Sequence, residues 1–309
     1  MTTAFIRHPR YPSCQPRQWG MLSSGEVLFL LWILSTFIAA VLFAASSMVN
    51  KVAMQEDTPT DRLLPGTFLA GFVVLLIKQG RLMPNPSLPL VLSGLAMSLL
   101  SMLNCVCILL AIRSGPVGKV AAVAGSHSIL TPLLAWVFFS EQLNLWQWLA
   151  VGVATAGMVL VQQRQGGEGK EAVPWIWFGL AFLGAVGSSG ETLILDKAAA
   201  LLNDGVAGLV WSYLFSFVFT SLWFLRRRQE HYQRPFYLGA ADGALSAIGM
   251  IFFAYALQGG PAGLVAALST SAVGLRAIGG RVFFSERLSV WSWVGIALAV
   301  LAFGIVSFF

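Results

Sequence analysis

Two stretches of this sequence decide its fold, because one is a copy of the other. Residues 115–148 read GPVGKVAAVAGSHSILTPLLAWVFFSEQLNLWQW, and residues 260–293 read GPAGLVAALSTSAVGLRAIGGRVFFSERLSVWSW. They align without a gap at a shift of 145 residues, and 16 of the 34 positions are identical, including Gly-Pro-x-Gly, Phe-Phe-Ser-Glu and Trp-x-Trp. A general bias towards alanine, leucine and valine does not align these three groups together. The chain therefore contains an internal duplication.

The composition predicts a membrane protein. Of the 309 residues, 57% are hydrophobic and only 10% are charged, whereas a soluble domain carries about 25% charged residues. The net charge of +6 comes from basic residues scattered over loops, which is typical of insertion topology and not of nucleic-acid binding. The three cysteines have no metal-ligand spacing, so neither a disulfide framework nor a metal or other cofactor is predicted.

Ten apolar runs are long enough to span a bilayer as helices. The predicted helices 1 to 10 cover residues 27–50, 63–79, 88–112, 115–139, 144–162, 174–197, 206–225, 235–258, 261–284 and 289–309. A polar tail of residues 1–26 precedes them, and no cleaved signal is predicted because the first run can itself span. A glycine-rich linker of residues 163–173 divides the rest into repeats at 27–162 and 174–309.

The number of helices in each repeat predicts how the two repeats are related. Each has five helices, and because five is odd the second repeat enters the membrane from the opposite side. The predicted fold is therefore an all-α polytopic membrane protein of ten transmembrane helices in two inverted five-helix repeats. Both termini then lie on one side. The basic residues near helix ends, above all Arg226–Arg228, favour the outside for both termini.

The duplicated stretch resembles the EamA-type, ten-helix members of the drug/metabolite transporter superfamily. The residues that carry the resemblance are a small-residue helix followed by a hydrophobic run, Glu and Leu, here at 115–143 with Glu141 and again at 260–288 with Glu286. The first helix also ends in Asn50-Lys51, and its copy ends in Asp196-Lys197. The resemblance covers about residues 27–309.

The resemblance implies that helices 1, 3, 4, 6, 8 and 9 surround a central cavity and that both termini are cytoplasmic, in contrast to the charge count. It implies a multi-pass protein of a plasma membrane, expected to be the bacterial inner membrane. One departure concerns the proline of helix 4, since Thr131-Pro132 is replaced by Arg276-Ala277 in helix 9. A kink is therefore expected in the first copy and not in the second.

Polar and ionisable side chains inside the predicted spans mark the expected site, because they are costly in a bilayer. Acidic residues, arginine and histidine occur in the interiors of only those helices that the resemblance places around the cavity. The predicted substrate or coupling residues are Asn104, His127, Glu191, Asp242 and Arg276.

Two of these residues are expected to touch. Asp242 and Arg276 fall at the same depth, about 6 Å from the midplane at 1.5 Å per residue, so a direct ion pair is predicted. The pair is either a static salt bridge or a functional group, which would be a gate or an anion-binding arginine. His127 is either a proton carrier or a buried histidine bonded to a neighbour. Glu191 either carries a proton or binds an ammonium group, or it snorkels beside Asp196 and Lys197.

Two further features are expected to be structural. Glu141 and Glu286 each precede a helix, and each is predicted to interact with the positive end of the helix that follows it. The small residues Gly152 in helix 5 and Gly295 in helix 10 are predicted to permit close contacts between helices.

These observations predict a secondary transporter, expected to be an exporter, and not an enzyme. Its substrate is a small organic metabolite, such as an amino acid-like solute or a drug, moved by alternating access of the inverted repeats and coupled to a proton or another ion. The chain is expected to be a monomer or homodimer. A channel or lipid scramblase is the alternative, and an intramembrane hydrolase using Gly187-Ser188-Ser189-Gly190 is a weaker one because His127 precedes the serines.

Overall fold

The computed structural model describes residues 24–55, 63–80, 83–114, 120, 123–162, 175–202, 205–226, 233–285 and 288–308. These residues form α-helices with short connections, and no strand occurs among them. The helices are α1 (Ser24–Gln55), α2 (Leu64–Gln79), α3 (Leu88–Ser114), α4 (His127–Phe139), α5 (Leu145–Gln162), α6 (Ile176–Leu202), α7 (Gly205–Arg226), α8 (Gln233–Gly259), α9 (Ala262–Ser269), α10 (Ala272–Phe284) and α11 (Val290–Phe308).

The lengths and surfaces of these helices are those of a multi-pass membrane protein. Within the described ranges, six stretches are long and apolar enough to cross a membrane, and four shorter helices are also apolar. The large apolar side chains are turned outwards: on α1, Leu30, Leu34, Phe37 and Val41 follow helical spacing and are each more than 40% exposed. Such a face is stable against lipid tails and unfavourable in water.

The shift of 145 residues found in the sequence recurs in the helix boundaries. Helices α3 and α8 begin at Leu88 and Gln233 and end at Ser114 and Gly259, and α4 and α10 share the same offset at both ends. The residue after each of the latter two helices is a serine in the left-handed region, Ser140 and Ser285, each with φ 55° and ψ 29°. The duplicated sequence therefore gives the same local structure twice.

Packing follows the same correspondence. Helix α1 packs against α8 as α6 packs against α3, and α2 packs against α8 as α7 packs against α3. The contact of α2 with α8 is the closest of these at the backbone level. A Cβ atom added at Gly239 or Gly243 would overlap the carbonyl oxygen of Leu63 or Thr67, respectively. Only glycine permits these helices to approach so closely.

The last helices of the two halves, α5 and α11, also pack through glycine. A Cβ atom at Gly295 would lie 2.5 Å from the carbonyl oxygen of Gly157, and one at Gly157 would lie 2.7 Å from that of Gly295. The prediction for Gly295 is thus confirmed. The prediction for Gly152 is wrong, because Gly152 faces open space.

Two helices that the sequence predicted to be continuous are broken. Helix 9 is interrupted at Thr270-Ser271, between α9 and α10, and helix 4 is interrupted at Gly125-Ser126, immediately before α4. The breaks are 145 residues apart, so the expectation that only the proline-containing copy bends is wrong. Pro132 lies inside α4. Small and hydroxyl residues account for the breaks, since the Thr270 hydroxyl donates to its own helix at the carbonyl of Ala267, 2.6 Å away.

Candidate substrate cavity

A cavity of about 470 Å³ lies inside the bundle, against both helix breaks. Its wall is formed by α1, α3, α5, α6, α8 and the broken helices 4 and 9. Four of the five predicted residues line it: Asn104, His127, Glu191 and Arg276. The structure therefore brings together residues that are up to 172 positions apart in the sequence, while their role in binding stays a prediction.

His127 lies at the start of α4, and both its backbone carbonyl and its side chain form hydrogen bonds. Its Nδ1 is 3.2 Å from the carbonyl oxygen of Ala124, and because a carbonyl only accepts, Nδ1 carries the hydrogen. The Nε2 atom of the neutral ring is then an acceptor. The carbonyl oxygen of His127 accepts from the hydroxyls of Thr131 at 2.8 Å and Ser189 at 3.4 Å.

The hydrogen bond of Ser189 is relevant to the alternative that the chain is an intramembrane hydrolase. A serine nucleophile needs its hydroxyl on a general base such as imidazole. The Ser189 hydroxyl instead donates to the backbone carbonyl of His127, and Ser188 is a wall residue of the cavity. This arrangement gives no support to hydrolysis.

Glu191 lies on α6 and faces the cavity, with Ser101 of α3 beside it. The charged pair at the end of α6 is separate. The Nζ atom of Lys197 is 2.9 Å from Oδ2 of Asp196 and 4.4 Å from the centre of the Phe139 ring. Glu191 is therefore placed in the cavity and not in the polar cluster at the helix end.

Arg276 projects from α10 into the same cavity and is exposed there. Within the part of the chain that the structure describes, neither an ion pair nor a hydrogen bond holds its guanidinium. An intramembrane cation of this kind marks a candidate functional site, and a guanidinium group suits a carboxylate or another anion. The second arginine of α10, Arg281, packs over the Trp293 ring, 5.8 Å from its centre, and lies away from the cavity.

The predicted ion pair between Asp242 and Arg276 is wrong. The Asp242 carboxylate is turned away from the cavity and accepts hydrogen bonds from Ser46 and Asn50 of α1 and Thr67 of α2. The two residues do lie close enough for their charges to interact. Equal depth does not bring the two side chains into contact, because Asp242 faces α1 and α2 while Arg276 faces the cavity.

The rest of the cavity wall combines hydroxyl groups with apolar side chains. Among the hydroxyls, Thr192, Ser269 and Thr270 were not predicted as site residues, because serine and threonine are common in membrane helices. The available signal was the Ser-Thr-Ser run that breaks helix 9. On the apolar side, Phe43 and Phe253 pack with their ring centres 6.2 Å apart. The cavity therefore has charged, polar and apolar parts.

Outside the membrane helices, Glu141 is the charged group with the clearest structural role. Burial raises the pKa of its carboxyl, as does the nearby Asp196, while the N–H of Gly263, the charge of Lys197 and the N–H of Ala262 oppose the rise. Glu141 thus faces the beginning of α9. The prediction that it serves the following helix is wrong, and its copy Glu286 lies outside the described residues.

Helix α5 is capped instead by its own residues. The side-chain oxygen of Asn144 accepts from the backbone N–H of Gln147 at 2.8 Å, and Gln147 Oε1 accepts from the backbone N–H of Asn144 at 2.9 Å. This reciprocal capping satisfies two backbone donors at the start of the helix. Glu141 is therefore free to contact the other half of the chain.

Comparison with known proteins gives a family match for the first half of the chain and a fold for both halves. Residues 30–162 match the model of the EamA-like transporter family. No curated protein matches the sequence. Twenty-eight solved chains match, and one of them, described only as "Crystal structure of protein", has a TM-score of 0.73 at 18% identity over 89% of this chain and 95% of that chain. At this identity the likeness shows a shared fold, and it extends over both halves.

Proposed function

Because residues 30–162 belong to the EamA-like transporter family, part of the drug/metabolite transporter superfamily, we propose that this chain is a secondary transporter of small zwitterions with an apolar side chain. The observation that carries the proposal is the cavity, where Arg276 and Glu191 face the same space. The direction is expected to be export, across a bacterial plasma membrane.

Each part of the cavity matches one part of such a solute. Arg276 provides a cation for a carboxylate, and guanidinium groups form strong charge-assisted bonds with carboxylates. Glu191 provides an anion for an ammonium group. Phe43 and Phe253 provide an apolar wall for the side chain. A volume of about 470 Å³ lies within the range of small-molecule sites, roughly 300–1,000 Å³.

The proposed transport mechanism is alternating access by two inverted five-helix repeats. The helix contacts support it, because the first helix of each half packs against the third helix of the other half, α1 against α8 and α6 against α3. So do two cation–π contacts that each join one half to the other: Lys51 of α1 with Phe284 of α10 at 4.7 Å, and Lys197 of α6 with Phe139 of α4 at 4.4 Å. Under the inverted arrangement these pairs lie at opposite ends of the bundle, where each one closes an end.

The test uses the purified full chain in liposomes, with a mixture of labelled leucine, methionine and phenylalanine as probe under an imposed pH gradient. We expect uptake by the unmodified protein, loss of uptake for Arg276→Gln and retention for Arg281→Gln. The second variant removes an arginine from the same helix that lies outside the cavity. Uptake by Arg276→Gln equal to that of Arg281→Gln would exclude Arg276 as the carboxylate site.

A further inference from the structure

A second buried carboxyl lies outside the cavity, where α1, α2 and α8 meet. Asp242 is only 6% exposed. Its Oδ1 accepts from the Ser46 hydroxyl and from Nδ2 of Asn50 at 2.9 Å, and its Oδ2 accepts from the Thr67 hydroxyl at 3.0 Å. Ser246, one turn along α8, lies 2.9 Å from the Ser46 hydroxyl. This side-chain cluster therefore joins three helices through one acid.

The cluster satisfies both protonation states of the acid without moving a side chain. The single proton of the Thr67 hydroxyl has two acceptors, Oδ2 of Asp242 at 3.0 Å and the carbonyl oxygen of Leu63 at 3.2 Å. When Asp242 is ionised, Thr67 donates to it. When Asp242 is protonated at Oδ2, it donates to Thr67, and Thr67 donates to Leu63. An acid that only fixed the position of one helix against another would need only one protonation state.

The duplication allows Asp242 to be compared with the residue at the equivalent position of the other half. The residue 145 positions before Asp242 is Met97, which is fully buried in α3. The same place in the fold is thus filled without a polar group in the other half. Packing at the equivalent place of the other half therefore uses no acid, and in a bilayer an acid carries a cost.

The other acid of the membrane interior, Glu191, is equivalent by the same shift to Ser46, the residue that donates to Asp242. Glu191 lies 145 positions after Ser46, and Ser246 lies 145 positions after Ser101. The α1–α8 contact therefore contains Ser46, Asp242 and Ser246, and the α6–α3 contact contains Glu191 and Ser101. Each of the two equivalent contacts has one carboxyl, but only that of Glu191 faces the cavity.

The charged and titratable groups around Asp242 come from five other helices. Arg276 of α10 acts on it through its charge, and Tyr213 of α7 and Cys105 of α3 lie within electrostatic range of both Asp242 and Glu191 of α6. On α1, Lys51 follows Asn50 but is directed to the Phe284 ring. The groups that touch the carboxyl from α1 and α2 are neutral.

Helix α1 connects the cluster with the cavity. Phe43 lies one turn before Ser46, lines the cavity and packs on Phe253 of α8. Hydrogen bonds to an ionised acceptor are about twice as strong as neutral ones, so protonation of Asp242 weakens the bonds that hold α1 to α8. Close packing of α2 on α8 at Gly239 and Gly243 leaves Asp242 only 6% exposed.

We propose that Asp242 is a proton-binding site outside the substrate cavity that takes up and releases one proton per transport cycle. It acts on the cavity through Ser46 and Phe43 of α1. The coupling rests on the proposed transport function, whereas the binding of the proton does not. Glu191 remains the acid of the cavity itself.

The first test measures proton binding without any solute. Infrared difference spectra between acid and alkaline pH are recorded on the purified full chain and on its Asp242→Asn and Asp242→Met variants. We expect a buried-carboxyl band in the unmodified protein that both variants lose and Glu191→Gln retains. The Asp242→Met variant carries the residue that the other half has at the equivalent position, Met97. It keeps the test valid if Asp242→Asn does not fold. An unchanged band in both Asp242 variants would overturn the proposal.

The second test measures coupling in liposomes with the labelled amino acids. Asp242→Asn is expected to lose uptake driven by the pH gradient while retaining solute exchange at equal pH. Ser98→Ala, which removes the 2.9 Å bond between Ser98 of α3 and Ser216 of α7, is the matched control and should retain both. Gradient-driven uptake by Asp242→Asn equal to that of the control would overturn the coupling. Absence of any uptake by the unmodified protein would instead contradict the transport function, and the infrared result would stand.

Discussion

The Nζ atom of Lys197 lies 4.4 Å from the centre of the Phe139 ring, so that the first helix of one half touches the fourth helix of the other. Lys51 and Phe284 make the equivalent contact. A cation over an aromatic ring contributes about 0.5–1 kcal/mol at exposed sites and more when desolvated. Both phenylalanines belong to the duplicated Phe-Phe-Ser-Glu, whose glutamate in the first copy faces the start of α9. The duplicated stretch therefore joins the two halves.

The Phe139→Leu and Phe284→Leu variants should open opposite ends of the bundle. Loss of about 1 kcal/mol shifts a two-state equilibrium roughly fivefold. The measurement is the labelling rate of Thr192→Cys in the cavity by an impermeant thiol reagent, in a chain whose three native cysteines are replaced.

Each variant should label faster from one side, and the two sides should differ. Phe138→Leu is the control, since Phe138 is 70% exposed on the outer surface. Equal labelling of both variants from the same side would contradict the inverted arrangement.

The Glu191→Gln variant should weaken the binding of amino acids through their ammonium group. A hydrogen bond to a charged partner contributes about 1.5–3 kcal/mol, which corresponds to roughly 10- to 150-fold in the dissociation constant. The measurement compares leucine with its analogue that lacks the amino group. We expect Glu191→Gln to weaken leucine binding and to leave the analogue unchanged, whereas equal losses for both would show that Glu191 does not contact the ammonium group.

The Gly243→Ala variant should destabilise the protein. Its new methyl group would overlap the carbonyl oxygen of Thr67, and overpacking of this kind costs about 1–3 kcal/mol. The thermal midpoint in detergent is expected to fall. Gly152→Ala is the control, because nothing lies near a Cβ atom at Gly152, and a similar fall in both variants would show that the α2–α8 contact is not the cause.

Glu141 should make stability depend on pH. Its pKa is raised in the folded protein, mainly by burial, so the folded state binds a proton more readily than the unfolded state. The free energy of unfolding therefore gains a contribution below the ordinary carboxyl pKa, about 4.3, and that contribution is lost as pH rises through the folded value. The thermal midpoint of the unmodified protein, relative to Glu141→Gln, should rise as pH falls. A constant or decreasing difference would contradict this assignment.

The sequence predicted the positions of the helices well, because apolar run length and glycine or charge at the ends fix where a membrane helix can begin and end. The sequence also predicted which polar residues lie together in the cavity. Asn104, His127, Glu191 and Arg276 were selected by their cost in lipid, and all four line the cavity.

The orientation of side chains around each helix was not predictable in the same way. Depth follows from residue count, but the direction of Asp242 depends on how α1, α2 and α8 pack through Gly239 and Gly243. Pro132 predicted a bend in helix 4 alone, whereas the breaks follow the Gly125-Ser126 and Thr270-Ser271 pairs, one in each copy. Glu141 was assigned to the nearest helix in sequence, while its partner belongs to the other half.

The measurement that tests the central claim most directly is counterflow of labelled leucine into liposomes that hold the purified protein and are preloaded with unlabelled leucine. A carrier that exposes one cavity alternately to each side accumulates label transiently above equilibrium, and Arg276→Gln should abolish this overshoot while Arg281→Gln retains it. Equilibration without an overshoot would indicate a channel or a scramblase. That result would contradict transport by alternating access.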